Sequence, residues 1–382
     1  MSGRFHVVTW NGGGNTTPTY ALARRLVARG HEVTLLGQSA QAEAACDLGA
    51  RFVPLGVPDW SPGKSLEDEA DAFASLLFGP AVGEAVLDTI ARDAPNALVV
   101  DCMLTSALAA AERAALPSAA LVHVLYEQFV AGTMGRRWAA RLPTINAMRS
   151  GFGLPPVGSP MALLEPMRVV LVACPQAFDA AMSVLPKNVR YVGAILDEPP
   201  TAPRASPWPL ADGRPRVLVA LSTTFQHQEA MLRRIAAALT TLPLEAVITV
   251  GPAVELGALV PARNVAIVRY LAHRMVLPDC ALVITHAGLG TVMAALAHGV
   301  PLLCLPMGRE QHDNAARVAA CGAGCVLTPD ADMGAISQAI CTMLAAPEYR
   351  TAARHMATTI ARRDGRKVAV DALEKLLHAT SS

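Results

Sequence analysis

Apolar residues along this chain fall into short runs, separated by longer stretches in which they recur every three or four positions. The runs are rich in Val, Ile and Leu and lack a regular polar face, which predicts strands buried on both sides; the spacing between them predicts amphipathic helices. In the first half the strand-like runs are 5–9, 32–36, 97–100, 119–123 and 169–173. In the second half they are 216–221, 246–250, 265–268, 281–285 and 301–305. Such alternation predicts an α/β fold of parallel sheets covered by helices. It breaks over 198–215, where Pro199, Pro200, Pro203, Pro207, Pro209 and Pro215 exclude a helix interior or a central strand. We therefore expect a first domain at 1–197, a linker at 198–215, a second domain at 216–363 and a terminal helix at 364–382. That helix carries Val368, Val370, Ala372, Leu373, Leu376 and Leu377 at helical spacing, and its docking partner is not legible. Each domain is expected to be a Rossmann-like doubly wound sheet, with ligands outside the carboxyl ends of its strands and a cleft shared by the two.

Composition narrows the picture further. At 382 residues the chain exceeds what one core usually organises, and 52% hydrophobic against 16% charged residues excludes a disordered chain. With 32 basic and 31 acidic residues the formal charge is +1, so nucleic acid is not an expected partner. The apolar stretch 5–10 is short for a signal peptide and no run reaches membrane-spanning length, so a cytoplasmic location without membrane association is expected. The eight cysteines are scattered singly, which fits a reducing compartment, and Cys321 and Cys325 lack a second pair at zinc-like spacing.

Two turns between strand and helix carry candidate chemistry. In the first, Trp10 is followed by Gly12, Gly13, Gly14, Asn15, Thr16, Thr17 and Pro18; Pro18 suits a first helical turn and Thr16 or Thr17 a cap. The third glycine of a dinucleotide fingerprint is absent, and no acidic residue follows the second strand at Gly37 and Gln38, which argues against NAD. A ligand-free turn stays open, but we prefer a substrate-lining loop, with Trp10 and Gly13 beside an acceptor. The second turn follows 283–285 as His286, Ala287, Gly288, Leu289, Gly290 and Thr291. Amides and the positive end of a helix gather there, making a phosphate site to which His286 and Thr291 add donors. One strand later come Arg309, Glu310, Gln311, His312, Asp313 and Asn314. Glu310 can accept from sugar hydroxyls, and Gln311 can both donate and accept.

From His286-Ala-Gly-Leu-Gly-Thr291 through Gly299-Val-Pro-Leu, Leu305-Pro and Gln311 to Asn314-Ala, the sequence resembles the nucleotide-sugar-dependent GT-B glycosyltransferases that include bacterial macrolide-type and plant secondary-metabolite enzymes. The resemblance covers nearly the whole chain. It implies two facing domains and transfer of a hexose from a dTDP- or UDP-sugar co-substrate to a hydrophobic natural-product acceptor. It also implies inversion at the anomeric carbon and no further cofactor. Within the donor site it implies that His286, Gly288, Gly290 and Thr291 hold the diphosphate, that Glu310 and Gln311 hold the sugar, and that Asn314 lies near both. Thr223 and Thr224 match positions that touch phosphate, and Tyr270 and Leu271 match positions that flank and pair with the nucleobase. No Asp-x-Asp pair follows a strand, so metal independence is expected.

The base is the point of departure. Members of the family commonly carry a histidine three residues before the proline of the first loop, paired with an aspartate after a later strand. Here the loop position is Asn15, while Asp101 matches the aspartate. We expect burial to raise the Asp101 pKa and make it the base, with His123 and Glu127 as further candidates; a helix-cap role for Asp101 stays open. The acceptor region at 52–167 contains Trp60, Phe78 and Trp138, which line an apolar pocket or simply pack helices. An acidic phenolic or polyketide hydroxyl would ask least of a weak base. A nucleotide-sugar epimerase and a catalytically silent nucleotide-sugar-binding partner protein stay open, and a homodimer is compatible.

Overall fold

The computed structural model describes residues 2–57, 70–179, 184–197, 206–210, 212–222, 227–252 and 254–378; Trp60, Thr223, Thr224 and part of the 198–215 segment lie outside them. The described residues up to Asp197, together with those from Arg363 onward, form one compact unit. The described residues between them form a second.

The first unit is built on seven strands: β1 (Arg4–Val8), β2 (Glu32–Gly37), β3 (Arg51–Pro54), β4 (Ala97–Asp101), β5 (Ser118–Val122), β6 (Val169–Val172) and β7 (Val189–Tyr191). They lie in the order β3-β2-β1-β4-β5-β6-β7 and every pairing is parallel. Parallel neighbours need helical crossovers that cover both faces, which is why β4 and β5 are buried along their whole length. The second unit repeats the plan with β8 (Arg216–Ala220), β9 (Glu245–Thr249), β10 (Val265–Val268), β11 (Leu282–Thr285), β12 (Leu302–Cys304) and β13 (Gly324–Val326). Their order is β10-β9-β8-β11-β12-β13, again all parallel. In each sheet the order reverses once, between β1 and β4 and between β8 and β11. At such a reversal the loops leave in opposite directions and open a crevice at the carboxyl ends of the strands.

The terminal helix, Gly365–Leu377, docks on the first unit. Ala369, Val370, Ala372, Leu373 and Leu376 share one core with Phe5, Leu22 and Leu26. Burying a Val or Leu side chain contributes about 1.5–3 kcal/mol, so this face outweighs the exposed ion pairs around it. The Asp364 carboxylate caps the helix, accepting from the N–H groups of Arg366 (3.1 Å) and Lys367 (3.2 Å). Gly365 permits the close approach: a Cβ there would sit 2.4 Å from the Ala194 carbonyl oxygen. Among the described residues no single helix is long and apolar enough to cross a membrane.

Candidate functional site

In the second unit, His286 follows β11 at the reversal. The chain then turns through Ala287, a non-glycine residue at φ 67°, into the helix Leu289–Ala297, whose N-cap is Gly288. The first intrahelical bond runs from Val292 N–H to the Gly288 carbonyl (3.0 Å), so the amides of Leu289, Gly290 and Thr291 precede the helical ladder. Gly290 is exposed and Thr291 half-buried. A left-handed non-glycine residue costs on the order of 1 kcal/mol, and Arg309 repeats it at φ 56° in the next turn, after β12.

On the segments that follow β11 and β12, three buried polar atoms have no hydrogen-bond partner: His286 Nδ1, Arg309 Nη2 and Asn314 Oδ1. Asn314 is fixed by its other end, where Nδ2 donates to the Ala287 carbonyl (2.9 Å). Burial holds the His286 imidazole down to about 4; the Ala220 backbone opposes this, and the Arg309 and His273 charges assist. His286 is therefore neutral near neutrality. Burial also lowers the Arg309 pKa from its ordinary value, with the Glu310 charge opposing. Arg309 was not among the residues singled out from sequence; a lone arginine inside a polar turn after a strand was the available signal.

Glu310, half-buried, is the N-cap residue of the helix Gln311–Ala320 without capping it through its side chain. Gln311 opens that helix. It is buried, and its Oε1 accepts from the N–H groups of Met307 (2.8 Å) and Gly308 (3.2 Å), so this oxygen braces the turn. Tyr270 is 75% exposed, leaving its ring available to stack, and Leu271 is half-buried.

The reversal in the first unit brings Asn15, Asp101 and His123 together. Asn15 is itself the N-cap residue of the helix Thr16–Ala28, so the cap expected from Thr16 or Thr17 is displaced by one residue or more; Thr16 Oγ1 donates instead to the Gly13 carbonyl (2.6 Å). Asn15 Nδ2 donates to Asp101 Oδ2 (2.9 Å) and to the Trp10 carbonyl (2.8 Å), while Oδ1 accepts from Gly12 N–H (3.1 Å). Asp101 Oδ1 accepts from Met103 N–H (2.9 Å) and lies 3.1 Å from His123 Nε2. Cys102 is fully buried beside them, and one side-chain heteroatom from each of Asp101, Cys102 and His123 lies within 4.8 Å of the other two.

These contacts overturn the expected Asp101 pKa. Burial alone would raise it, but the His123 charge and the hydrogen bonds from His123, Met103 and Asn15 together outweigh burial and lower it. The reverse holds for His123: burial would lower its pKa, yet Asp101, with Cys102, lifts it well above the ordinary histidine value. Asp101 is thus a stable carboxylate and a poor base. Glu127, on the short helix Tyr126–Val130, accepts from Gln128 Nε2 (2.7 Å).

Two of the aromatic residues expected near the acceptor are packed against other rings inside the first unit. Trp138 is buried with T-shaped contacts to Phe78 (5.3 Å) and Phe129 (5.2 Å), and Trp10 is buried against Phe73 (5.6 Å). Aromatic edges and faces attract at these separations, so neither ring gains by facing open space. Phe78 is half-buried under the Arg141 guanidinium, and Gly13 is half-buried at φ 84°.

Several known proteins are similar to this chain in sequence or in fold. Residues 233–376 match the erythromycin biosynthesis protein CIII-like C-terminal domain. The chain is 27% identical to 4'-demethylrebeccamycin synthase of Lentzea aerocolonigenes, over 99% of this chain and 100% of that protein. It is 28% identical to demethyllactenocin mycarosyltransferase of Streptomyces fradiae, over 95% and 84%. The crystal structure of the calicheamicin glycosyltransferase CalG4 superposes with a TM-score of 0.82, at 23% identity and complete coverage of both chains. The matched domain, the near full-length relatives and the shared pair of parallel sheets make this chain a glycosyltransferase of the GT-B fold, similar to bacterial macrolide-type enzymes.

Proposed function

We propose that the protein transfers a hexose from a dTDP- or UDP-sugar to a hydroxyl of a hydrophobic natural-product acceptor, with inversion at the anomeric carbon and without a metal ion or further cofactor. The names of the two relatives, one making 4'-demethylrebeccamycin and one transferring a mycarosyl group, support a natural-product acceptor. In this reading the second unit binds the donor and the first activates the acceptor.

The observation that carries the donor assignment is the set of three unpartnered buried atoms, His286 Nδ1, Arg309 Nη2 and Asn314 Oδ1, on the segments that follow the strands β11 and β12. Buried polar groups are nearly always satisfied, so this turn is built for a polar ligand. A diphosphate meets its needs: it accepts from the helix amides, from His286 and from Arg309, while Asn314 Oδ1 and the Glu310 carboxylate accept from sugar hydroxyls. The same donors stabilise the charge that develops on the departing diphosphate, which is the role a divalent cation fills elsewhere. Calorimetry with dTDP-glucose and UDP-glucose tests this. His286→Ala should weaken binding of the preferred donor about 10-fold or more, the worth of a charge-assisted hydrogen bond, with the fold intact. Undiminished affinity together with normal turnover would reject the site.

A further inference from the structure

We propose that His123, held by Asp101, is the general base of the transfer and takes over from the first-loop position that Asn15 occupies. The inference rests on the transferase reading above and identifies the group that reading leaves open.

Elimination and geometry point the same way. Asn15 has no basic atom, and its Nδ2 already donates to Asp101 and to the Trp10 carbonyl. The Asp101 side chain is wholly buried and accepts from Asn15 and Met103 in addition to facing His123. A carboxylate so engaged is an acceptor only, so the hydrogen between it and His123 must sit on His123 Nε2. In the neutral ring this leaves the lone pair on Nδ1. The ring is also hydrogen-bonded to Cys102, and 8% of the side chain remains exposed. The ring thus has one nitrogen tied to a buried carboxylate, which is how a carboxylate fixes the tautomer and orientation of a catalytic histidine.

The backbone explains how the pair arises. β4 and β5 are neighbours in register, with Asp101 opposite Leu121, and His123 follows two residues later where β5 ends. The two side chains leave adjacent strands at the same edge of the sheet. The titratable groups acting on His123 are Asp101 and Cys102, both in the segment where β4 ends. Burial raises the Cys102 thiol, which keeps it neutral.

The acceptor O–H proton passes to His123 Nδ1 while the oxygen lone pair forms the bond to the anomeric carbon. The bond from that carbon to the diphosphate oxygen breaks, and its electron pair leaves with the diphosphate. The imidazolium, stabilised by Asp101, later returns its proton to solvent.

The test uses the full-length protein, dTDP-glucose or UDP-glucose, and a series of phenols of graded acidity. His123→Gln should bind the donor as the parent does but lose roughly 100-fold or more in kcat, with a smaller loss for the more acidic phenols. His123→Gly should recover turnover on addition of imidazole. In the parent, turnover should rise with pH through an ionisation above the ordinary histidine value, and Asp101→Asn should move that ionisation downward by removing the charge that lifts it. A merely structural Asp101 would lower activity without moving it. Turnover within a few fold of the parent in His123→Gln, or an unmoved ionisation in Asp101→Asn, would overturn the assignment. A parent that binds a sugar nucleotide yet glycosylates no phenol defeats the base while sparing the donor site. One that binds no sugar nucleotide defeats the donor reading first, and the base falls with it.

Discussion

Adding a single methyl group at Gly288 offers a sharp probe of the donor site. A Cβ at this position would lie 2.6 Å from His286 Nε2, 3.0 Å from Cε1 and 3.6 Å from Cδ2, so its three nearest neighbours all belong to the imidazole. The backbone is no obstacle, because Gly288 has φ −62° and alanine adopts that freely. Gly288→Ala should therefore fold and push the ring aside. Restoring ordinary contact needs a displacement of about 0.8 Å, and holding a side chain off its preferred rotamer costs about 0.5–1.5 kcal/mol. A hydrogen bond to a charged group contributes about 1.5–3 kcal/mol, so losing its alignment predicts a fall in donor affinity of roughly 10- to 100-fold. The assay is calorimetry with the preferred sugar nucleotide on the parent, Gly288→Ala, His286→Ala and the double variant. If the methyl acts through the imidazole, it should cost little once His286 is already alanine. An equal penalty in both backgrounds would refute the reasoning and point to the helix amides themselves.

Other consequences are open to measurement. Transfer should persist in excess EDTA; activity that disappears and returns with Mg2+ or Mn2+ would contradict metal independence. Burial holds both His273 and His286 near pKa 4, against 6.5 for the unfolded side chain. Their contribution to stability is full above the unfolded value and is lost as pH falls through the folded one. By about pH 5 each should cost about 1–2 kcal/mol, allowing for partial exposure of the rings. Denaturant titrations should show this acid loss shrinking in His273→Asn; an unchanged loss would count against it. Gly365→Ala should lower stability by about 1–3 kcal/mol, because its Cβ would meet a main-chain oxygen that cannot swing away. Thermal unfolding that matches the parent would show that the terminal helix can shift at no cost.

The strands read from sequence are legible because they are apolar, and most of them are buried on both faces. The three that escaped notice, Arg51–Pro54, Val189–Tyr191 and Gly324–Val326, are short edge strands with polar, proline or glycine residues. Half of such a strand's surroundings is not sheet, so neither length nor pattern marks it. The turns at Asn15, Asp101, His286 and Glu310 could be placed because parallel topology puts functional groups at strand ends. Protonation could not. Whether Asp101 is a base or an anchor depends on Met103, Asn15 and His123 converging on one carboxylate, and only Met103 is nearby in sequence. Trp10 and Trp138 show the same limit, since an aromatic ring that lines a pocket and one that fills a core look alike until its neighbours are known.

The docking of Gly365–Leu377 beside Phe5, Leu22 and Leu26 also constrains the order in which the chain matures. Synthesis proceeds from the amino end at about 5–20 residues per second, and domains generally fold as they emerge. The first unit cannot do so completely, because its last core element is made only after the whole second unit. Throughout that interval the nascent sheet bears an uncovered apolar groove, and closing it requires a contact between nearly opposite ends of the sequence, which is slow to form. A ribosome-bound chain stalled before residue 365 should therefore hold a folded second unit beside an incompletely protected first one, and the first unit is where chaperones and proteases should act.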